Sequence, residues 1–127
     1  MKKLILASLL LAALGQPFGA GAAAAGSPAT NVYAERLADA IYIAEGGAKA
    51  KWPYGVLRVK DPKKARRICL QIIETESQVY DRLLEQRFVE LSFIDFLALR
   101  YCPPHAHPLN SSWPKNVKFW FRKLSPP

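Results

Sequence analysis

Carboxylates are scarce in this chain. Its 127 residues hold 10 acidic against 18 basic side chains, a net charge of +8. That excess makes cationic partners unfavourable and suits anionic ones such as cell-wall polymer, outer-leaflet lipid or extracellular nucleic acid. Histidine is nearly missing too. His105 and His107 have no Cys, Asp or Glu cluster near them in sequence, so no metal site is expected. The chain lacks a Ser-His-Asp arrangement with a supporting motif, a phosphate-cradling glycine loop and a dinucleotide fingerprint. No cofactor, nucleotides included, is therefore expected.

Long apolar runs are confined to the N-terminus, where Lys2 and Lys3 precede the stretch Leu4 to Leu14 and a small-residue tract with A-x-A sites. This is the layout of a cleaved secretory signal. The stretch falls short of the ~20 residues of a transmembrane helix. Residues 1–25 are read as signal and linker, and residues 30–127 as one domain. The expected product is an exported protein, periplasmic or extracellular, with no stable membrane span after cleavage and a net charge of +6 once Lys2 and Lys3 depart. Cysteine is limited to Cys69 and Cys102. In an oxidising compartment this pair predicts one disulfide, with two separately buried thiols as the alternative.

What remains is rich in helix signals. Tyr33, Leu37, Ile41 and Ala44 fall at helical spacing and predict a helix from about Val32 to Glu45, stopped by Gly46 and Gly47. Trp52-Pro53-Tyr54-Gly55 then reads as a turn leading into a short β-hairpin or extended element over Val56 to Val59. Asp61-Pro62 reads as the cap and first position of the longest helix, with a stripe of Ala65, Ile68, Cys69, Ile72, Val79 and Leu83. Its first turn carries Lys63, Lys64, Arg66 and Arg67, read as a solvated basic face. Ser92-Phe93-Ile94-Asp95 has the form of a capping box for a third helix, ended by Cys102-Pro103-Pro104, and Pro114 opens a fourth. The expected class is mainly α (α+β).

Glu45 is the residue on which chemistry would turn. At the C-terminal end of a helix the dipole disfavours a carboxylate, and aromatic neighbours in the following turn would add a desolvation penalty. Both effects favour the protonated form that a general acid needs near neutral pH. An exposed glutamate at a frayed helix end is the plainer reading of the same position.

The stretches Ala44-Glu45-Gly46-Gly47, Pro53-Tyr54-Gly55-Val56, Arg66-Arg67-Ile68-Cys69, Phe93 to Pro103 and Asn110 to Val117 together resemble the lysozyme-like superfamily of lysozymes and lytic transglycosylases, in a small exported bacterial form. The resemblance spans about Ala40 to Val117. It implies a mainly helical domain whose cleft receives a peptidoglycan glycan strand, Glu45 as the acid, and Tyr54 and Gly55 in one cleft wall. Two features depart from the transglycosylase pattern: Gly46 follows the glutamate where serine is usual, and Tyr54-Gly55-Val56-Leu57 stands in place of Gly-Leu-Met-Gln.

Glycosidases commonly use two carboxyl groups ~5–9.5 Å apart. Asp61 is the next acid in the chain and the possible second one, with helix capping as its competing role. Trp52, Tyr54 and Trp113 are candidate sugar platforms, while Trp120 lies on an apolar helical stripe. Asn110 is a candidate for binding N-acetyl or hydroxyl groups, with local turn duty as the alternative. Without a firm partner for Glu45, a one-carboxylate transglycosylase is favoured over a hydrolase. The expected partner is peptidoglycan or another anionic cell-wall glycan; nucleic acid is not expected. The alternative is a noncatalytic periplasmic or cell-surface domain that binds glycan or protein.

Overall fold

A computed structural model describes residues 28–103 and 105–127, and the signal-type segment lies outside them. The described residues form four α-helices: α1 (Pro28–Ala44), α2 (Pro62–Glu85), α3 (Phe93–Tyr101) and α4 (Trp113–Lys123). Three short 3-10 turns join them, at Gly47–Lys49, Pro53–Gly55 and Pro108–Ser112.

The helix starts follow from side-chain chemistry. Asp61 accepts a hydrogen bond from the Lys63 amide at 3.1 Å, and Pro62 supplies a helical φ where no amide is needed. Ser92 Oγ accepts from the Asp95 amide and donates to Asp95 Oδ2, so the serine caps α3 and the aspartate holds the serine hydroxyl, not the Ser92 amide of a full capping box. The end of α2 is less orthodox. Phe88 N donates to the Leu83 carbonyl and Arg87 N to that of Leu84, the Schellman pattern, with Arg87 at φ 57° where glycine is usual.

No strand forms among the described residues, which corrects the expected β-hairpin or extended element. Residues 52–59 curl into successive turns instead. Gly55 N donates to Trp52 O, Val56 N to Pro53 O and Val59 N to Val56 O, at 3.0, 3.2 and 3.3 Å. Positive φ values at Tyr54, Gly55 and Arg58 reverse the chain each time. A β-branched run has nothing to gain from extension when no neighbouring strand takes its backbone groups.

The main core lies where α1 meets α4 and α2. Leu37 and Ile41 of α1, Cys69 and Ile73 of α2, Leu97 of α3 and Val117 of α4 are buried together, and Tyr54 reaches in from its turn. A smaller cluster of Leu83, Val89 and Phe96 closes the far end of α2 against α3. The buried face of α2 is rotated from the expected stripe: Ile73 and Glu76 are buried, whereas Ile72 and Val79 are only half-buried. Glu76 is accommodated by Arg100, whose Nε lies 3.8 Å from its carboxylate.

Candidate functional site

Glu45 follows the last residue of α1, and its amide still donates to Ile41 O at 2.9 Å. Gly46 at φ 109° and Gly47 at φ 60° then take left-handed conformations and turn the chain back. The returning chain reaches Gly55 beside the Glu45 carboxyl. A Cβ on Gly55 would stand 2.8 Å from Oε1 and 2.9 Å from Cδ, so any side chain there would displace the carboxyl group. Gly55 thus has two reasons to be glycine: a φ of 69° and this close approach.

From the other side Trp113, the first residue of α4, donates its indole N–H to Glu45 Oε1 at 2.7 Å. The indole is buried and stacks on Tyr101, with ring centroids 5.3 Å apart and planes 16° from parallel. The carboxyl is therefore fixed in orientation by groups from two distant parts of the chain. Burial raises the proton affinity of Glu45, and the Trp113 N–H, which favours the charged form, offsets only part of the rise. The position at the negative end of α1 acts in the same direction as burial.

The wall that holds Gly55 is itself braced. Tyr54 is buried at φ 58°, an uncommon conformation for a bulky residue. Its ring packs on Tyr42 at 4.9 Å, and its hydroxyl accepts from Arg66 Nη1 at 3.1 Å. The same Arg66 donates to Asp39 at 2.6 Å and pairs with Glu35. One guanidinium therefore ties α1, α2 and the turn together. Lys63, Lys64 and Arg67 are exposed, as a solvated basic face requires, whereas Arg66 is half-buried and pairs its charge with the carboxylates of α1.

The remaining candidates divide. Asp61 is exposed and its carboxylate caps α2, so the structure gives it the competing role of the two weighed for it. Trp52 is half-buried, with Lys51 Nζ 5.4 Å from its ring centroid. Asn110 Nδ2 donates to Pro103 O at 2.9 Å, which braces the loop between α3 and α4. Trp120 is half-buried and packs against the main core. His107 Nδ1 accepts from the Leu109 amide at 3.1 Å and so caps the turn before α4. No group of three or more His, Cys, Asp or Glu side chains is gathered among the described residues.

The expected Cys69–Cys102 disulfide is not formed; both thiols are free. Cys69 is buried on α2, Cys102 follows the last residue of α3, and desolvation pushes both thiols up to about 11. Cys69 belongs to the main core, and Cys102 packs against it from the end of α3. The Tyr101 hydroxyl is buried beside Cys69 without a well-formed hydrogen bond.

Two shallow surface hollows stand elsewhere. One, of about 470 Å³, lies between α1 and the C-terminal segment and is lined by Glu35, Arg36, Asp39 and Leu124 among others. The second, of about 250 Å³, lies between α3 and α4. Neither includes Glu45.

Sequence reasoning missed the Trp113 hydrogen bond to Glu45, the Arg66 clamp and the buried Glu76. Local spacing carries no sign of the first two, which join residues far apart in the chain. Glu76 had a signal, since it lies three residues after Ile73 and seven after Cys69 on the buried face of α2. No protein-family model, curated protein or solved structure matches this chain.

Proposed function

We propose that this is an exported enzyme that cleaves the peptidoglycan glycan strand at the MurNAc–GlcNAc bond, with Glu45 as general acid. The observation that carries the reading is the Glu45 carboxyl itself: half-buried beside Gly55, held in one orientation by the Trp113 N–H, and raised in proton affinity by its burial. Those are the properties a proton donor to a departing glycosidic oxygen requires.

Asp61 is committed to capping α2, which favours chemistry with one carboxyl group. Glu45 gives its proton to the glycosidic oxygen as the C1–O bond breaks, and the sugar's own N-acetyl group assists at C1. The 6-hydroxyl then closes an anhydro ring and returns a proton to Glu45. This is the lytic transglycosylase course, and it needs no activated water. The lysozyme-like resemblance supports the same assignment, with Tyr54 and Gly55 as the wall beside the acid.

A second reading has its own observation. Trp113 and Gly55 close on the carboxyl, and the two surface hollows lie away from it. On that reading Glu45 is a latch between α1 and α4 in a noncatalytic domain that binds glycan or protein. Incubating purified peptidoglycan with the native protein and with Glu45→Gln, followed by mass spectrometry of released fragments, separates the two. Anhydro ends released only by the native protein support the transglycosylase, and reducing ends would mean a hydrolase. No release, or equal release by both proteins, removes Glu45 from the chemistry.

A further inference from the structure

The positive charge of the domain is concentrated in one segment. Between residues 49 and 67 stand Lys49, Lys51, Arg58, Lys60, Lys63, Lys64, Arg66 and Arg67, against the single acid Asp61. The rest of the chain from residue 28 onward carries eight basic and nine acidic residues and is close to neutral. The segment begins four residues after Glu45 in the chain. Its turns pack on α1 and on α2, and Gly55, at its middle, touches the Glu45 carboxyl.

Within this collar only Arg66 is neutralised by carboxylates of the chain. The other ion pairs among the described residues belong to Arg100 and Lys118, outside the collar. The one collar acid, Asp61, is engaged by a backbone amide. Lys49, Lys51, Arg58, Lys60, Lys63, Lys64 and Arg67 are all exposed. Lys63 and Lys64 also sit in the first turn of α2, where the helix dipole opposes them and no acidic residue compensates. Such crowding of like charge raises the energy of the free protein and is relieved when a polyanion lies across it.

We propose that the collar binds the free carboxylates of stem peptides carried by the glycan strand, so that the site prefers strands whose peptides are not consumed in cross-links. The inference rests on the reading of Glu45 as a glycan-cleaving acid, because that reading brings a strand to this end of the molecule. Stem peptides hang from the strand itself, so their carboxylates are within reach whenever sugar is near Glu45. Phosphate-bearing wall polymers and nucleic acids share only the charge.

Binding is measured on the Glu45→Gln protein, which separates it from cleavage. Purified peptidoglycan is offered intact or with its carboxyl groups capped as neutral amides, alongside wall phosphate polymer and double-stranded DNA. Capping is expected to weaken binding roughly tenfold or more, given the strength of several like charges meeting one anionic surface. The fourfold change Lys60→Gln, Lys63→Gln, Lys64→Gln and Arg67→Gln should do the same, while Lys115→Gln with Lys123→Gln on α4 should leave binding within about twofold, as for rim charges outside a contact.

Equal binding to capped and intact peptidoglycan overturns the proposal, as does tighter binding to DNA or phosphate polymer. The comparison of capped with intact material uses an unaltered collar, so it holds even if the fourfold variant misfolds. Collar-dependent binding with no fragment release by the native protein would sink the catalytic reading alone. Fragment release with no effect of capping or of the collar changes would sink the collar alone.

Discussion

The indole nitrogen of Trp113 lies 2.7 Å from Oε1 of Glu45, and this contact joins the first residue of α4 to the residue just past the end of α1. A donor at this distance favours the carboxylate, against the burial that favours the acid. Trp113→Phe should therefore raise the Glu45 pKa further while keeping most of the stacking on Tyr101. Carboxyl-carbon NMR titration reads the shift directly. The variant should also lose roughly 0.5–1.5 kcal/mol of stability, the net range for a hydrogen bond to an uncharged acceptor. An unchanged or lowered Glu45 pKa would contradict the contact.

Glu45 and Glu76 both bind protons more readily when folded, through burial in each case, offset in part by Trp113 and by Arg100 respectively. The folded state therefore holds more protons than the unfolded chain between the unfolded and folded pKa values. The resulting contribution to stability is full below the unfolded pKa and is lost as pH rises through the folded one. Asp95 has the opposite sign. Burial pulls it up, but hydrogen bonds from Lys118 and Ser92 outweigh that and hold it below the usual range. Its contribution is present above the unfolded pKa and is lost as pH falls through the folded value. Denaturant unfolding at a series of pH values should show Glu45→Gln flattening the decline on the rising side of the carboxylate range and leaving the acid limb in place.

Gly47→Ala and Gly55→Ala place a methyl group on two left-handed residues with different surroundings. At Gly47 the new Cβ meets only Tyr42 Cε1 at 3.8 Å, so the cost should be the conformational one alone, about 1–2 kcal/mol. At Gly55 the methyl also collides with the Glu45 carboxyl, and the loss should be about 1–3 kcal/mol greater. Glu45→Ala combined with Gly55→Ala should recover part of that excess, a coupling of about 1 kcal/mol for groups in contact. Urea unfolding of the four proteins of this cycle measures it, and strict additivity would refute the close approach.

With both sulfurs free and their pKa values near 11, the folded protein should react very slowly with a thiol-specific chromogenic reagent at neutral pH. Two thiols should then appear when the chain is unfolded in denaturant without reductant. If none appears, the protein as purified carries the disulfide that its cysteine count and its signal-type segment suggest.

The elements legible in the sequence are those fixed by neighbours in the chain. Asp61-Pro62, Ser92 with Asp95, and Gly46-Gly47 each solve a local hydrogen-bonding or φ problem, and each stands at the boundary it predicts. Glu45 was legible for the same reason, as the acid at a helix end. Trp113 could be singled out as a candidate sugar platform, but not as the buried donor to that acid, because nothing within a few residues of either one encodes their meeting. Arg66 was hidden among lysines whose composition suggested solvent. Its acceptors Glu35 and Asp39 lie one turn apart on another helix, visible only once α1 and α2 are packed. The strand expected at 56–59 rested on β-branched composition, which has force only where a partner edge exists.

The Trp113–Glu45 contact closes a separation of 68 positions, and the hydrogen bond from Arg36 to Ser125 closes one of 89. Loops of that length carry an entropic penalty that must be met before the contact gives anything back, and topologies rich in them fold slowly. Synthesis runs from the N-terminus, so α1 emerges well before the helix that covers it. The apolar stripe of α1 and the acid at its end must wait uncovered until α4 arrives. Glu45 thus acquires its character only once α4 has docked, and a nascent molecule holds an ordinary glutamate.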